Sequence, residues 1–250
     1  MTADPASISA IPDWLPAGAP PPPGSAGVPR LETPGDYLDF YEKHGLTLIL
    51  LAKDRPWMSA RTRELAAKLP VSLGHYFFPR LSSYARLRRD PDLLTRFNFG
   101  VRTGKRFNLV VIDLDDFESA RALVRECRLP PTLATRTGGG GFHLFYRIPE
   151  SCPFIPATHD CVARGIDVRG EYCFCTIPPS RHGTGEWYEF IHPAQPIAVL
   201  PEVAVARFRS CGVSRYWHVW KFMRNFRYLQ RRMLRDFFRT AVLRKPPEKA

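Results

Sequence analysis

The spacing of apolar residues predicts a chain in which helices and strands alternate. A helix is expected to begin near Thr33, in the stretch GDYLDFYEKHG, and to end at Gly45. The run LTLILLA at 46–52 has the length and composition of a strand. Residues 58–70 are helix-like, whereas the pattern of 71–97 fits neither element.

Six short runs rich in β-branched and aromatic residues predict strands in the centre of the chain. They cover residues 107–113, 133–137, 142–148, 166–168, 172–177 and 187–191. Asp116 is expected to cap a helix that buries one apolar face and ends before Pro130. His182 to Gly185 is expected to turn between the last two strands. Strands mixed with helices, without an internal repeat, predict an α+β domain.

The two ends of the chain differ from this central domain, which is expected to span 35–206. Residues 1–34 contain nine prolines and predict a disordered or polyproline-like leader. In the segment 207–250, residues 214–243 placed on a helix separate into an apolar side and a basic side. The apolar side holds Tyr216, Val219, Met223, Phe226, Met233, Phe237 and Ala241. The basic side holds Lys221, Arg224, Arg227, Arg231, Arg235 and Arg239.

The net charge of +12 is concentrated in the C-terminal segment. Residues 207–250 contain 13 Lys/Arg and 2 Asp/Glu, which leaves a charge of only +1 for residues 1–206. A basic segment with few interleaved acids favours a polyanionic partner, so we expect the basic side of the helix to contact nucleic acid. The alternative is a docked helix whose charges only face water.

Nothing in the sequence indicates export or a membrane span. There is no run of about 18 apolar residues, and the N-terminus lacks the basic and apolar regions of a signal peptide. A cytoplasmic protein with six reduced cysteines is therefore expected. Cys152, His159, Cys161 and Cys173 form a candidate zinc site, but no Cys-x-x-Cys pair supports it, and free thiols are the expectation.

The stretch VVIDLDD at 110–116 runs from an apolar strand into a cluster of carboxylates. On a strand, Asp113 and Asp115 share one face while Leu114 points into the core. Neighbouring carboxylates repel each other, and divalent cations remove that repulsion. Acids at a strand end also cap helices, as expected for Asp116, or face water. The motif alone therefore leaves both interpretations open.

Two further stretches place polar groups on strand faces. In TRTGGGGFHLFYRI at 135–148, four glycines that allow a backbone to approach an anion precede His143; a hairpin with a core histidine is the alternative. In GIDVRGEYCFCTIPPSRH at 165–182, Asp167 and Arg169 share one strand face. A surface ion pair is the alternative interpretation of these two residues.

Four motifs in this order resemble the bifunctional DNA primase/polymerase (Prim-Pol) family of archaeo-eukaryotic primases. They are NFGVRTG (98–104), VVIDLDD (110–116), TGGGGFH (137–143) and GIDVRGEYCFCTIPPSRHGTGEWYE (165–189), and the resemblance extends over about residues 35–200. It implies a catalytic core with an RNA-recognition-motif-like sheet and a second α/β unit. Residues 35–206 would then be the catalytic domain, and 207–250 a basic helical tail.

The resemblance also implies roles for individual residues. Asp113, Asp115 and Asp167 would bind two Mg²⁺ or Mn²⁺ ions, and His143 would contact the phosphates of the incoming nucleotide. Further nucleotide contacts would come from Arg102, Gly139, Gly140, Arg169, Ser180 and His182. The family often has Ser at the position of Gly139, so a phosphate contact there would use the backbone alone.

The function that the resemblance implies is template-dependent joining of dNTPs or NTPs to a primer or initiating nucleotide. The template would be single-stranded DNA, in the replication of a plasmid, phage or other mobile element. A non-catalytic nucleic-acid-binding module, with an RNA-recognition-like sheet and a basic helix, is one alternative, against which the intact set of three acids argues. A metal-dependent nuclease is another, disfavoured by the glycine turn and the arginines. No helicase motif follows the domain, so a helicase partner is expected to be a separate chain.

Overall fold

The computed structural model describes residues 31, 33–53, 58–59, 62, 70–71, 83–90, 93–191, 193–211 and 217–237. The predicted leader, most of the helix-like segment 58–70 and the end of the tail beyond residue 237 lie outside the described residues.

The described helices and strands alternate along the chain. The helices are α1 (Pro34–Lys43), α2 (Tyr84–Arg89), α3 (Leu93–Arg96), α4 (Phe117–Glu126), α5 (Glu202–Arg209) and α6 (Trp217–Phe237). The strands are β1 (Leu48–Leu51), β2 (Asn98–Arg102), β3 (Val110–Leu114), β4 (Ala134–Arg136), β5 (Phe142–Arg147), β6 (Thr158–Ala163), β7 (Ile166–Arg169), β8 (Phe174–Ile177), β9 (Glu189–Phe190) and β10 (Ala198–Val199). In the part of the chain that the structure describes, no helix is long and apolar enough to cross a lipid bilayer.

The strands form two sheets. The smaller sheet has the order β1-β2-β8 and is antiparallel throughout. The larger sheet has the order β6-β7-β3-β5-β4-β9, with antiparallel neighbours, and β10 adds a short parallel pairing to β5. Helices combined with mainly antiparallel sheets confirm the predicted α+β class.

The larger sheet is buried on both faces because alternate residues of β3 enter two different cores. Val110, Ile112 and Leu114 pack with residues of α4 and α5 on one face. Val111 packs with residues of β2, β8 and α1 on the other. A strand buried on both sides reads as a continuous apolar run, which is why VVI precedes the acids in the sequence. Asp113 follows Val111 on the face toward the smaller sheet.

The two helices predicted with defined starts are confirmed. Thr33 caps α1 in a reciprocal capping box with Asp36, whose carboxylate accepts the Thr33 backbone N–H at 2.8 Å. Asp116 caps α4 and accepts the Ser119 backbone N–H at 2.8 Å. The strand predicted from residue 107 begins only at Val110, because Lys105–Phe107 forms a short 3-10 helix before it.

Several elements were not predicted, and one connection differs from expectation. The sequence did not predict strands β2, β6 and β10 or helix α5. The expected turn at 182–185 joins β8 and β9, which belong to different sheets. The predicted domain boundary at residue 206 falls inside α5. Phe208 of that helix is fully buried in the core, so the packed domain continues beyond the boundary.

Helix α6 is the predicted amphipathic helix, and one acid attaches it to the rest of the domain. Asp236 is 3% exposed. Its Oδ2 accepts the Ser59 backbone N–H at 3.0 Å, the Ser59 hydroxyl at 2.9 Å and the Thr62 hydroxyl at 2.6 Å. Phe237, assigned to the apolar side of the helix, is instead 48% exposed. A buried carboxylate therefore anchors the last turn of the described helix.

Asp236→Ala is expected to loosen the C-terminal turn of α6, because it removes an acceptor of three hydrogen bonds. Hydrogen bonds to a charged group contribute about 1.5–3 kcal/mol each when buried. Because about 1.4 kcal/mol corresponds to a factor of ten, amide hydrogen exchange at the C-terminal turn of α6 should accelerate at least about tenfold, whereas Arg231→Ala, on the exposed side of the same helix, should leave it unchanged. Equal protection in both variants would mean that apolar contacts alone hold the helix.

Acidification should have the same effect on α6. Burial raises the pKa of Asp236, but the hydrogen bonds from Thr62 and Ser59 outweigh it and hold that pKa below its usual value. A group whose pKa is depressed in the folded state stabilises the fold above its unfolded pKa, about 3.9 for Asp. The anchoring of α6 should therefore be complete near neutral pH and weaken as the pH falls below about 4. In Asp236→Ala, this acid-dependent loss of protection should be absent.

Candidate active site

Three of the predicted site residues lie side by side on the larger sheet. In the strand register, Asp113 of β3 is directly opposite His143 of β5 on one side and Asp167 of β7 on the other. Directly opposite residues on neighbouring strands point their side chains to the same face. That face is turned toward the smaller sheet, and both carboxylates are 9% exposed. The fold thus collects residues from three motifs into one row.

Arg169 balances the charge of the two acids. Its Nη2 lies 2.6 Å from Asp113 Oδ2 and 3.0 Å from Asp167 Oδ2. The shared strand face predicted for Asp167 and Arg169 is confirmed by this contact. The alternative of a surface pair is wrong, because both acids are almost fully buried. One guanidinium between two carboxylates offsets much of their mutual repulsion.

The pKa of Asp113 reflects these neighbours. Burial raises the pKa of this carboxyl, but the charges of His143 and Arg169 and their hydrogen bonds outweigh burial and hold it well below its usual range. Asp113 is therefore ionised at neutral pH. A buried carboxyl with a strongly perturbed pKa is a candidate for a functional role.

His143 lies in the layer between the two sheets and has a partner at each ring nitrogen. Its Nε2 is 3.3 Å from Asp113 Oδ1, and its Nδ1 is 3.0 Å from Cys175 Sγ on β8. The Tyr188 ring lies 5.8 Å from the imidazole, centroid to centroid. Burial lowers the pKa of His143, but Cys175 and Asp113 raise it by more than burial lowers it. The pKa of His143 therefore lies above its ordinary value. A cationic imidazolium is therefore favoured beside Asp113.

The glycine turn between β4 and β5 is closed by Thr137. The Thr137 backbone N–H donates to Gly141 O at 2.9 Å, and the Gly141 N–H donates to the Thr137 hydroxyl at 3.0 Å. Gly139 and Gly140 are exposed at the tip. Gly140 has φ +94°, a backbone conformation that favours glycine. The turn thus presents exposed backbone at the end of the row of site residues.

The hairpin around His182 packs against this turn. A Cβ on Gly138 would lie 2.4 Å from His182 Cβ, so only glycine allows the approach. The Thr184 hydroxyl donates to Gly138 O at 2.9 Å. His182 lies next to Gly139 and stacks edge-on against Tyr188, with ring centroids 5.9 Å apart. Two segments 40 residues apart in sequence therefore form one polar surface.

The comparison with protein families decides how this arrangement is to be understood. Residues 81–203 match the model of the family described as bifunctional DNA primase/polymerase, N-terminal, or Prim-Pol. This part of the chain belongs to the Prim-Pol family. The match includes β2 to β9, and therefore every residue of the row described above. It confirms the resemblance inferred from the four motifs. No match to the chain was found among curated proteins.

The third predicted carboxylate of the Prim-Pol domain, Asp115, has a different environment from the other two. Strand β3 ends at Leu114, and Asp115 is exposed just beyond it. A Cβ on Gly141 would lie 2.6 Å from Asp115 Oδ1, so the last glycine of the turn makes room for this carboxylate. Among the described residues, no three His, Cys, Asp or Glu side chains converge into a group with metal-binding geometry. The structure thus pairs Asp113 with Asp167 and leaves Asp115 at the rim.

The donor set of the site fits a hard divalent cation. Mg²⁺ and Mn²⁺ prefer carboxylate oxygens, and Asp113 and Asp167 present theirs from directly opposed positions. Asp113 is already deprotonated, as a metal ligand must be. The residues present therefore match the chemistry of the ions that the sequence predicts.

Two predicted nucleotide contacts of the Prim-Pol domain are buried. Arg102 is 5% exposed, and its guanidinium carbon lies 5.1 Å from the centroid of the Phe107 ring. Ser180 is fully buried, and its hydroxyl accepts the Phe99 N–H at 2.7 Å and donates to Phe99 O at 3.0 Å. Both hydrogen-bonding functions of Ser180 thus attach the turn after β8 to β2. Ser180 therefore links this turn to β2, with its hydroxyl engaged by the Phe99 backbone.

The residues of the candidate zinc site have separate partners. Cys152 Sγ donates to Phe154 O at 3.3 Å, and Cys161 Sγ lies 3.6 Å from Cys211 O. Burial raises the pKa of Cys173 to about 11, against the lowering effect of Arg169 and Arg102 beside it. His159 contacts Asp167, and all six cysteines are free thiols.

The predicted basic row continues along α6. The side chains of Arg224, Arg227, Arg231 and Arg235 are exposed, and their spacing of three and four residues places them on one side of the helix. The row is about 16 Å long at the rise of an α-helix. Lys221 lies on the same helix, and Arg239 lies outside the described residues.

Sequence reasoning did not place Asp160, Cys175 and Tyr188 at this site, and it assigned His159 to a candidate zinc site instead. His159 and Asp160 contact Asp167, whereas Cys175 and Tyr188 contact His143. Cys173 and Cys175 are two residues apart in a strand-like run. This spacing was the only feature of the sequence that indicated that both side chains lie on the same face. The other three residues depend on strand pairing across the fold, which no local pattern shows.

Proposed function

We propose that this protein is a template-dependent nucleotidyltransferase that joins nucleotides to a primer or an initiating nucleotide on single-stranded DNA. One observation carries the proposal: a Prim-Pol segment aligns Asp113 and Asp167 on adjacent strands, with His143 directly opposite Asp113 and an exposed glycine turn nearby. Paired carboxylates for cations and donors for phosphates are the two requirements of phosphoryl transfer.

Asp113, Asp115 and Asp167 would hold two Mg²⁺ or Mn²⁺ ions. When bound, such ions lower the pKa of a primer 3′-hydroxyl and neutralise charge that develops on the triphosphate. Asp113 and Asp167 are buried on the sheet, whereas Asp115 is exposed just beyond β3. No protein nucleophile is required, because positioning and charge neutralisation suffice for an in-line displacement.

The triphosphate would lie between His143 and the glycine turn. His143 offers an imidazolium fixed by Asp113 and Cys175, and the exposed Gly139 and Gly140 offer backbone N–H groups to phosphate oxygens. His182 borders the same turn. Arg169, which contacts both acids, would add a guanidinium to this site. Arg102 would contribute as a buried positive charge.

The template would run along the arginine row of α6. Lys and Arg side chains that contact phosphates supply most of the sequence-independent affinity for nucleic acid. The wider context that we propose is the replication of a plasmid, phage or other mobile element, together with a helicase.

A primed single-stranded template, labelled dNTP and Mn²⁺ test the proposal with the full chain. Extension of the primer is the expected result. Shortening of the primer would indicate a nuclease, and binding without any change in length would indicate a non-catalytic module. Either of these outcomes would overturn the proposal if Asp113→Ala gave the same result as the wild type. Repeating the assay without a primer separates initiation from extension, and parallel reactions with NTPs compare the two substrates.

His143→Gln is expected to raise the KM for dNTP about tenfold, because the amide is neutral and cannot supply the charge of the imidazolium. Template affinity should change less than about twofold, since His143 is buried and the proposed template contacts are the exposed arginines of α6. Steady-state kinetics and a single-stranded DNA titration measure the two quantities. An unchanged KM combined with a lower melting temperature would show that His143 only supports the core.

A further inference from the structure

Asp167 of β7 is held by two residues of β6, the strand that forms a hairpin with β7. Its Oδ1 accepts the Asp160 backbone N–H at 3.2 Å and lies 2.7 Å from Nδ1 of His159. Its Oδ2 faces Arg169 and, beyond it, Asp113. One oxygen of the carboxylate is therefore fixed by the hairpin, and the other is directed at the centre of the site.

The same hairpin reaches the segment that carries Asp115. The Asp160 side chain accepts the Gly165 backbone N–H at 2.7 Å, and Gly165 O accepts the Asp115 backbone N–H at 2.8 Å. A Cβ on Gly165 would lie 2.6 Å from Asp116 Cβ, so the turn packs directly on the chain after β3. Asp160 thus connects two of the three acids through its backbone and its carboxylate.

The backbone of β6 is distorted at this point. The pairing of β6 with β7 shifts its register between Thr158 and Ala163. Asp160 within the shifted part has φ +51°, a left-handed conformation that is costly for most residues and more tolerable for Asp and Asn. Such irregularities redirect side chains and occur preferentially next to active sites. Here the irregularity turns the Asp160 N–H and the His159 ring toward Asp167.

We propose that Asp160 and His159 are positioning residues, which orient Asp167 and, through Gly165, Asp115 for binding a divalent cation. This inference rests on the proposed function, since it presupposes that these acids bind metal. Partners that hold a metal ligand by hydrogen bonds change metal affinity by about 10–100-fold when they are removed. Neither residue contacts the glycine turn or His143, so nucleotide affinity should be independent of both.

Asp160→Ala and Asp160→Asn test the role of the carboxylate. Asn retains an acceptor for the Gly165 N–H and tolerates the left-handed backbone, whereas Ala provides neither. Arg164→Gln, an exposed change in the same turn, is the matched control. Mn²⁺ binding to the full chain, without nucleotide, is measured from the electron paramagnetic resonance signal of free Mn²⁺. Single-nucleotide incorporation is then measured against Mn²⁺ concentration and against dNTP concentration.

We expect Asp160→Ala to raise the Kd for Mn²⁺ at least tenfold and to leave the KM for dNTP at saturating Mn²⁺ within twofold of the wild type. Asp160→Asn should restore most of the affinity, and Arg164→Gln should equal the wild type. His159→Ala changes an exposed side chain and should weaken Mn²⁺ binding severalfold. If Asp160→Ala fails to fold, this variant provides the test of the inference.

Wild-type Mn²⁺ affinity in both Asp160→Ala and His159→Ala would overturn the inference, and so would equal losses in Asp160→Ala and Asp160→Asn. In those cases the wild type would still bind Mn²⁺ and extend primers, and the proposed function would stand. A wild type that neither binds Mn²⁺ nor extends a primer would instead overturn the proposed function itself.

Discussion

Asp113→Asn is expected to reduce nucleotide incorporation at least 10³-fold and, in the absence of metal, to lower the free energy of unfolding by about 3 kcal/mol. The first effect follows from the loss of a carboxylate that we propose to bind metal in the middle of the site. The second follows from burial: the change leaves His143 without a carboxylate partner and Arg169 with one carboxylate where it had two. Removing one partner of a buried ion pair is costly for this reason. Repulsion among the acids would suggest the opposite sign for stability, but Arg169 already neutralises that repulsion.

Asp115→Asn is the matched control for the stability effect. Asp115 is exposed, in contrast to Asp113, and exposed substitutions usually change stability little. Incorporation should fall as strongly as in Asp113→Asn, while the free energy of unfolding should change by less than about 0.5 kcal/mol. Urea denaturation without metal and primer extension with Mn²⁺ measure the two effects. Full activity in either variant would remove that residue from the proposed metal site.

Replacing Arg224, Arg227, Arg231 and Arg235 by Gln is expected to weaken binding to single-stranded DNA and to reduce its salt dependence. Each phosphate contact contributes about −0.7 to the slope of log K against log salt concentration for single strands. If all four arginines reach phosphates, the slope should become shallower by about 3. The quadruple change is preferable to truncation after residue 206, because truncation would cut α5 and remove buried Phe208.

The control for this experiment removes the same charge from a different surface. Arg86, Arg89, Arg125 and Arg128 are exposed on α2 and around the end of α4. Their replacement by Gln lowers the net charge equally, so any change that this variant shares with the α6 variant reflects total charge alone. Equal slopes in the wild type and the α6 variant would mean that the row only faces water. The α6 segment would then be a surface for a protein partner.

The sequence by itself determined the elements whose signals are local. The caps at Thr33 and Asp116 define their helices, because a side chain satisfies a backbone N–H two or three residues ahead wherever the chain folds. The strands around Asp113, His143 and Asp167 were also predictable, since apolar runs bounded by glycine and proline specify strands without reference to partners. The four motifs, in their order, were sufficient to indicate the Prim-Pol family.

Only the tertiary structure decided which polar groups meet. Strand pairing sets Asp113 between His143 and Asp167, although 30 and 54 residues separate them in sequence. The same pairing gives Asp113 and Asp115 different environments, because β3 ends between them, whereas the strand pattern assigned them one face. His159 and Asp160 contact Asp167 only because β6 shifts its register, and Asp236 anchors α6 only because Ser59 and Thr62 lie opposite it. Such contacts depend on long-range packing of the whole chain, which local periodicity does not encode.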